Sequence, residues 1–347
     1  MKALQLVRWQ GEPELRDIEV PEPGPGEVLV KVDAAGLCHS DLHVMEWPEG
    51  TFAWELPFTL GHENAGTVAA LGLGATGVEV GDAVLVYGPW GCGACWQCAC
   101  GAENLCERGG DRPGKGCGLG YDGGLAEDLV VPSPRLLVPI GDLDPLRAAP
   151  LTDAALSPYH ALKSELWRLR PGTTAVVIGV GGLGHVAVQL LRELSPARIV
   201  AIDVRARARQ AAVAHGADAA LDANEDVRAE TGQVGATLVL DFVGTDGTLA
   251  LAASVLALGG HVSAVGIGGG TFPTQMGRVP LEWSLAKPSW GTLPELHEVV
   301  ALARSGVLEI EVEPLRLEEA IDGYERLRNG NVNGRAVVVP SGVGAER

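Results

Sequence analysis

The chain has few lysines and methionines, little positive charge and no long apolar run. Among 26 basic residues only Lys2, Lys31, Lys115, Lys163 and Lys287 are lysine, and there are three methionines. With 22 prolines, that arginine bias fits a thermophilic protein or a GC-rich genome, and the composition does not choose between them. Against 44 acidic residues the net charge is −18, which argues against a nucleic-acid surface and against binding to anionic membranes. A local basic pocket for a phosphate-bearing cofactor stays open. No run approaches the ~20 apolar residues needed to span a bilayer. The start, Met1 to Trp9, is charged too early for a signal peptide, so a cytoplasmic protein is expected. At 347 residues, 46% hydrophobic, the chain is long enough for two domains.

What is present is sharply placed. Of seven cysteines, five lie between Cys92 and Cys106, a clustering that points to metal rather than disulfides. Cys92, Cys95, Cys98 and Cys106 offer four thiolates in one loop, enough to close a tetrahedral zinc site that stabilises a loop and does no chemistry. Cys100 lies inside the same loop and is a competing ligand. Unpaired buried thiols and an iron–sulfur cluster are the rivals, disfavoured by the even spacing and the absence of other redox signals.

Up to about residue 150, short alternating runs such as Glu27–Val32, Ala83–Tyr87 and Leu125–Val131 read as β-strands joined by Gly- and Pro-rich turns. From about Ala154 the pattern becomes α/β. Apolar runs at Thr174–Ile178, Arg198–Ile202, Thr237–Asp241 and Gly260–Val265 alternate with helical stretches, the mark of a doubly wound parallel sheet. The last ~50 residues, ending in the strand-like Arg335–Val339, are expected to rejoin the first domain. The expected domains are 1–153 with 292–347, and 154–291.

Gly179-Val180-Gly181-Gly182-Leu183-Gly184 follows the first of those strands and opens a helix. Gly179 permits the turn, Gly181 lets backbone approach a pyrophosphate, and Gly184 lets helix and strand pack closely. Asp203, at the end of the next strand, suits the hydroxyls of an adenosine ribose and repels a 2′-phosphate, which favours NAD over NADP. Arg205 and Arg207 nearby are able to accommodate that phosphate.

A second metal site is suggested by Gly61-His62-Glu63-Asn64-Ala65-Gly66 and by Gly36-Leu37-Cys38-His39-Ser40-Asp41-Leu42-His43. Cys38 and His62 are a thiolate and an imidazole, a pair suited to zinc. An open catalytic site needs a third protein ligand. Asp, Glu and Cys all qualify, and spacing does not select one.

Taken together, these motifs resemble the zinc-dependent medium-chain dehydrogenases, specifically bacterial NAD-dependent alcohol dehydrogenases, over essentially the full length. The resemblance rests on Gly61-His62-Glu63 with Gly66, Gly72 and Ala75, the Cys38–Asp41 run, the four-cysteine lobe and the glycine fingerprint, in the family's order. It implies a GroES-like, mostly-β catalytic domain beside a Rossmann cofactor domain, with NAD and two zinc ions per subunit. It implies that Cys38 and His62 bind the catalytic zinc, with Asp153 as third ligand where many relatives carry cysteine. Glu63 would stand beside the metal, Asp41 would orient His62, and Ser40 and His43 would relay the alcohol's proton. His39 and Arg335 would contact the pyrophosphate, and Val243 and Val265 would line the nicotinamide cleft. Trp54, Leu119 and Trp290 are expected to shape an apolar substrate pocket. The metal is expected in the cleft between the domains. The implied reaction is reversible hydride transfer between NAD and primary or secondary alcohols, giving aldehydes or ketones, in a homotetramer. The rivals are a polyol or amino-alcohol dehydrogenase on the same scaffold, and a non-catalytic nucleotide-binding relative.

Overall fold

The computed structural model describes residues 1–341 except Gln233, Met276 and Arg278. It divides into two units. One comprises Met1–Asp153, Thr292–Arg304 and Ile310–Arg347; the other comprises Ala154–Gly291 and Ser305–Glu309. The division differs from the expected boundary at Ser305–Glu309, which joins the second unit. The cause is visible at Gln189, whose side chain donates to the Glu309 carbonyl at 2.9 Å and accepts from its N–H at 2.8 Å.

The first unit is built on a seven-stranded sheet. Its path runs Leu137–Pro139, Ala83–Val86, Glu63–Leu71, Val28–Gly36, Arg335–Val339 and Val312–Arg316, with Asp128–Val131 also paired to Val28–Gly36. Val28, Val30 and Val32 alternate inward along the central strand, as a period of two requires. Register in this sheet positions chemistry. Gly36 stands opposite Glu63 on one side and Val337 on the other. A Cβ on Gly36 would lie 2.0 Å from Glu63 Oε2, so only glycine leaves room for that carboxylate.

The second unit carries a six-stranded sheet, ordered Ala219–Leu221, Arg198–Ile202, Thr174–Ile178, Ala236–Asp241, Leu256–Ala264 and Ser284–Ala286, with every pair parallel. Thr174–Ile178 is buried along its whole length, which explains its unbroken apolar sequence. Val176, Ile178, Val200, Ile202, Val239 and Val262 form one core with Ala252 and Val255 of a covering helix. The order reverses at Thr174–Ile178, the switch point where such sheets bind ligands beyond the strands' carboxyl ends. No helix among the described residues is long and apolar enough to cross a membrane.

Candidate active site and cofactor loop

Cys38 lies two residues beyond the central strand Val28–Gly36 of the first unit and caps the helix His39–Glu46. Asp41 reaches back to accept the Cys38 N–H at 3.0 Å, and its other oxygen faces His62 Nδ1 at 2.9 Å. With Nδ1 engaged there, the lone pair of Nε2 is left to face the site. Nε2 lies 3.6 Å from Asp153 Oδ2, which lies 3.5 Å from Cys38 Sγ. These three donors lie within 4.8 Å of one another.

The fit to zinc can be judged from those spacings. Tetrahedral ligands at ordinary zinc–nitrogen, –oxygen and –sulfur lengths stand about 3.3–3.8 Å apart. Electrostatics agree. Burial opposes charge on His62, yet Asp41, Asp153 and Cys38 hold its pKa well above the usual value. The surroundings of the donor set therefore favour positive charge. All three ligands belong to the first unit, Asp153 as the last residue of its opening segment. Asp153 follows the short helical turn Ala149–Thr152, which packs on Glu63–Leu71 and Val28–Gly36.

Around this group Ser40 Oγ lies 3.6 Å from Cys38 Sγ, and His43 follows it by three residues on the same helix face. Burial lowers the His43 pKa against the opposing pull of Glu46. His39, at the helix start, is exposed. Glu63 is fully buried and forks with Arg335 through Nε at 2.8 Å and Nη2 at 2.6 Å. Burial pushes the Glu63 carboxyl up to about 7, despite Arg335. Arg335 is 3% exposed, and its Nη2 also donates to Asp153 at 3.4 Å. Tyr324 was not singled out from sequence, yet its hydroxyl donates to Asp41 at 2.9 Å.

The second metal group is Cys92, Cys95, Cys98 and Cys106, whose sulfurs also lie within 4.8 Å of one another. Cys100 is exposed and outside the group, which settles the competing ligand against it. N–H groups of Ala94 and Cys95 bring the Cys92 thiol down to about 6, favouring the thiolate a metal needs. Burial pushes Cys98 up to about 12. Buried Glu103 braces the lobe by pairing with Arg135. Cys98→Ser is expected to lower the melting temperature by roughly 5–10 °C, a loss of a few kcal/mol in a protein of this size. Scanning calorimetry with zinc analysis checks this; an unchanged transition with full zinc would refute a structural role.

In the second unit the glycine loop has the form that a pyrophosphate requires. Gly179 has φ +84°, and a Cβ on Gly184 would meet the Gly179 carbonyl at 1.9 Å. Above Gly181 a Cβ would meet only Arg205 Nη2, at 3.6 Å, so backbone there is open to a ligand. Gly182 and Leu183 complete the turn, Leu183 standing before the helix Gly184–Leu194. His185 was read as a plain helix residue, but its Nδ1 lies 2.9 Å from the Gly181 carbonyl and braces the loop.

Asp203 Oδ2 accepts from Val180 N–H at 2.9 Å. Arg205 spans both Asp203 oxygens, with Nε and Nη2 each at 3.0 Å. Burial works against the Asp203 charge, but the Arg205 and Val180 donors outweigh it and its pKa is lowered. Val243 and Val265 lie just past the strand ends Asp241 and Ala264, partly exposed.

Of the expected pocket residues, Trp54 is 8% exposed and largely taken up by packing, stacked on Phe52 at 4.5 Å and edge-on to Trp47 and Phe58. Leu119 is half-buried beside Gly120, where a Cβ would meet the Trp54 ring at 2.9 Å. Trp290, half-buried with φ +58°, belongs to the second unit.

The model of the alcohol dehydrogenase GroES-like domain matches residues 24–142, and that of the zinc-binding dehydrogenase domain matches 182–304. An NAD-dependent alcohol dehydrogenase of Sulfurisphaera tokodaii is 35% identical over 98% of this chain and 100% of its own. The chain belongs to the zinc-dependent medium-chain dehydrogenase family. Within that family, a D-arabinose 1-dehydrogenase (NADP(+)) of Saccharolobus solfataricus is 33% identical over 98% of this chain and 97% of its own. The alcohol dehydrogenase structure from Aeropyrum pernix superimposes with a TM-score of 0.90 at 34% identity, covering 98% of this chain and all of that one.

Proposed function

We propose that the chain is a zinc-dependent alcohol dehydrogenase that exchanges hydride between NAD and primary or secondary alcohols. The observation that carries the reading is the cluster of Cys38 Sγ, His62 Nε2 and Asp153 Oδ2 at coordination spacing beside the Ser40 hydroxyl. Zinc, when bound, lowers the pKa of an alcohol hydroxyl and polarises a carbonyl in the reverse direction, while NAD takes or returns the hydride.

The chain's own residues do the rest. Asp41 fixes the His62 ring, and Ser40 accepts the hydroxyl proton. His43 passes that proton toward solvent; burial keeps its pKa low, so it is neutral and able to accept near pH 7. His39, Val243 and Val265 contribute to the cofactor surface. The Gly179–Gly184 loop holds the pyrophosphate, and Asp203 accepts the ribose hydroxyls, while Arg205 offsets part of its repulsion toward a 2′-phosphate. The assembly is proposed as a cytoplasmic homotetramer, which analytical ultracentrifugation tests.

A steady-state panel of simple alcohols, cyclic alcohols, polyols and threonine, each with NAD and NADP, tests the reading. Turnover of apolar alcohols with NAD is expected. Preference for sugars would support the polyol alternative, which the D-arabinose dehydrogenase relative keeps open, and no turnover by zinc-replete protein would overturn both. Within the apolar reading, Trp54→Ala is expected to shift the ratio of kcat/KM between short and bulky alcohols by about tenfold, since shape discrimination in apolar pockets has that scale. An unchanged ratio removes Trp54 from the pocket.

A further inference from the structure

Asp41 is a hub rather than a simple partner of one histidine. It is fully buried and takes three donors: the His62 imidazole on Oδ1, and both the Cys38 N–H and the Tyr324 hydroxyl on Oδ2. One carboxylate thereby holds the backbone of one metal ligand and the ring of another. A carboxylate with a single partner on each oxygen is held less firmly against rocking about its Cβ–Cγ bond. Two donors converging on Oδ2 from different elements resist that rocking and keep Oδ1 aimed at His62.

We propose that Tyr324 is a positioning residue for the catalytic zinc, acting through Asp41 to set the orientation of His62. The proposal rests on the functional reading above. Tyr324 belongs to the helix Ala320–Arg328, which packs on the helix His39–Glu46, and its side chain is 3% exposed. Its phenol pKa is raised well above the usual value by burial and by the facing Asp41 charge, so the group stays protonated and donates. A phenylalanine would fill the same space and supply no donor. The hydroxyl is therefore separable from the packing of the ring. Its removal leaves Asp41 with two donors, a looser carboxylate and a less constrained imidazole. Outer partners of this kind affect both metal affinity and ligand orientation.

Zinc release from Tyr324→Phe holoenzyme to a chromogenic chelator tests the idea. Asp153→Ala, which keeps only the four-cysteine site, identifies the slower component. Release of the catalytic zinc is expected to quicken about tenfold, at the lower end for lost outer partners of zinc ligands. Release from the four-cysteine site is expected to stay as in wild type. Cobalt placed at the catalytic site is expected to show a shifted visible spectrum. In an Asp41→Asn background the same substitution is expected to add little. Unchanged release and spectrum would overturn the inference, as would equal acceleration at both sites, or a full additional effect in the Asp41→Asn background. A wild-type protein that holds one zinc overturns the functional reading and this inference together. Two zinc ions with unchanged release overturn the inference alone.

Discussion

Asp153→Ala is expected to bind one zinc per chain in place of two, and to lose alcohol oxidation by roughly a thousandfold or more. The magnitude follows from a metal contribution of several kcal/mol to the transition state, at about 1.4 kcal/mol per tenfold in rate. The geometry makes Asp153 indispensable: one oxygen, Oδ2, faces Cys38 Sγ, His62 Nε2 and Arg335 Nη2 at 3.5, 3.6 and 3.4 Å. Truncation removes the third corner of the donor set and leaves Cys38 and His62 without a closing ligand. Arg335 keeps its fork to Glu63, so the fold is expected to survive. Metal analysis beside steady-state kinetics checks the result; two zinc ions and wild-type turnover would refute the assignment. Asp153→Cys, which restores the thiolate of many relatives, is expected to recover zinc.

Arg335→Ala is expected to be the costliest single change to stability. Its guanidinium and the Glu63 carboxylate are both buried and forked together. Breaking such a pair from one side costs about 3–5 kcal/mol, because the buried carboxyl left behind must either carry an unpaired charge or take up a proton. In melting temperature this is a fall of roughly ten degrees. The deficit should depend on pH with a definite sign. Arg335 pulls the Glu63 pKa down, so the variant's Glu63 holds its proton to higher pH than the wild type's. As pH rises above about 7 the wild type ionises Glu63 against a partner and the variant does not, so the gap widens there. Below about pH 7 the carboxyl is protonated in both proteins and the gap stays at its smallest. Urea titrations of both proteins between pH 6 and 9 measure it, and a gap that widened on acidification would refute the account.

The legible and illegible parts of the site divide by distance along the chain. The four-cysteine lobe and the glycine loop show in the sequence because each is local: residue types at short spacing already determine which atoms meet. Cys38 and His62 are visible as chemistry, but their common third ligand is not, since nothing in spacing joins Asp153 to them. Resemblance supplied that residue, and the structure places its oxygen where a ligand belongs. The pairs Glu63–Arg335 and Asp41–Tyr324 span 272 and 283 residues and are created by sheet register and helix packing. Sequence patterns carry no trace of such register. Gly36 was the nearest clue, and its meaning depends on knowing that Glu63 lies opposite. Trp54 was legible as a large apolar residue, whereas its burial among Phe52, Trp47 and Phe58 was not.

The placement of Tyr324 and Arg335 late in the chain also sets an order of assembly during synthesis. The strand Arg335–Val339 enters the first unit's sheet beside Val28–Gly36, and both residues reach that unit only after the whole of Ala154–Gly291 has been made. Until then Asp41 lacks its phenol and Glu63 lacks its cation, and neither carboxylate has the partners that make burial tolerable. The cofactor unit is nearly all one continuous stretch and waits only for Ser305–Glu309. The unit that emerges first from the ribosome is therefore expected to be the last to close.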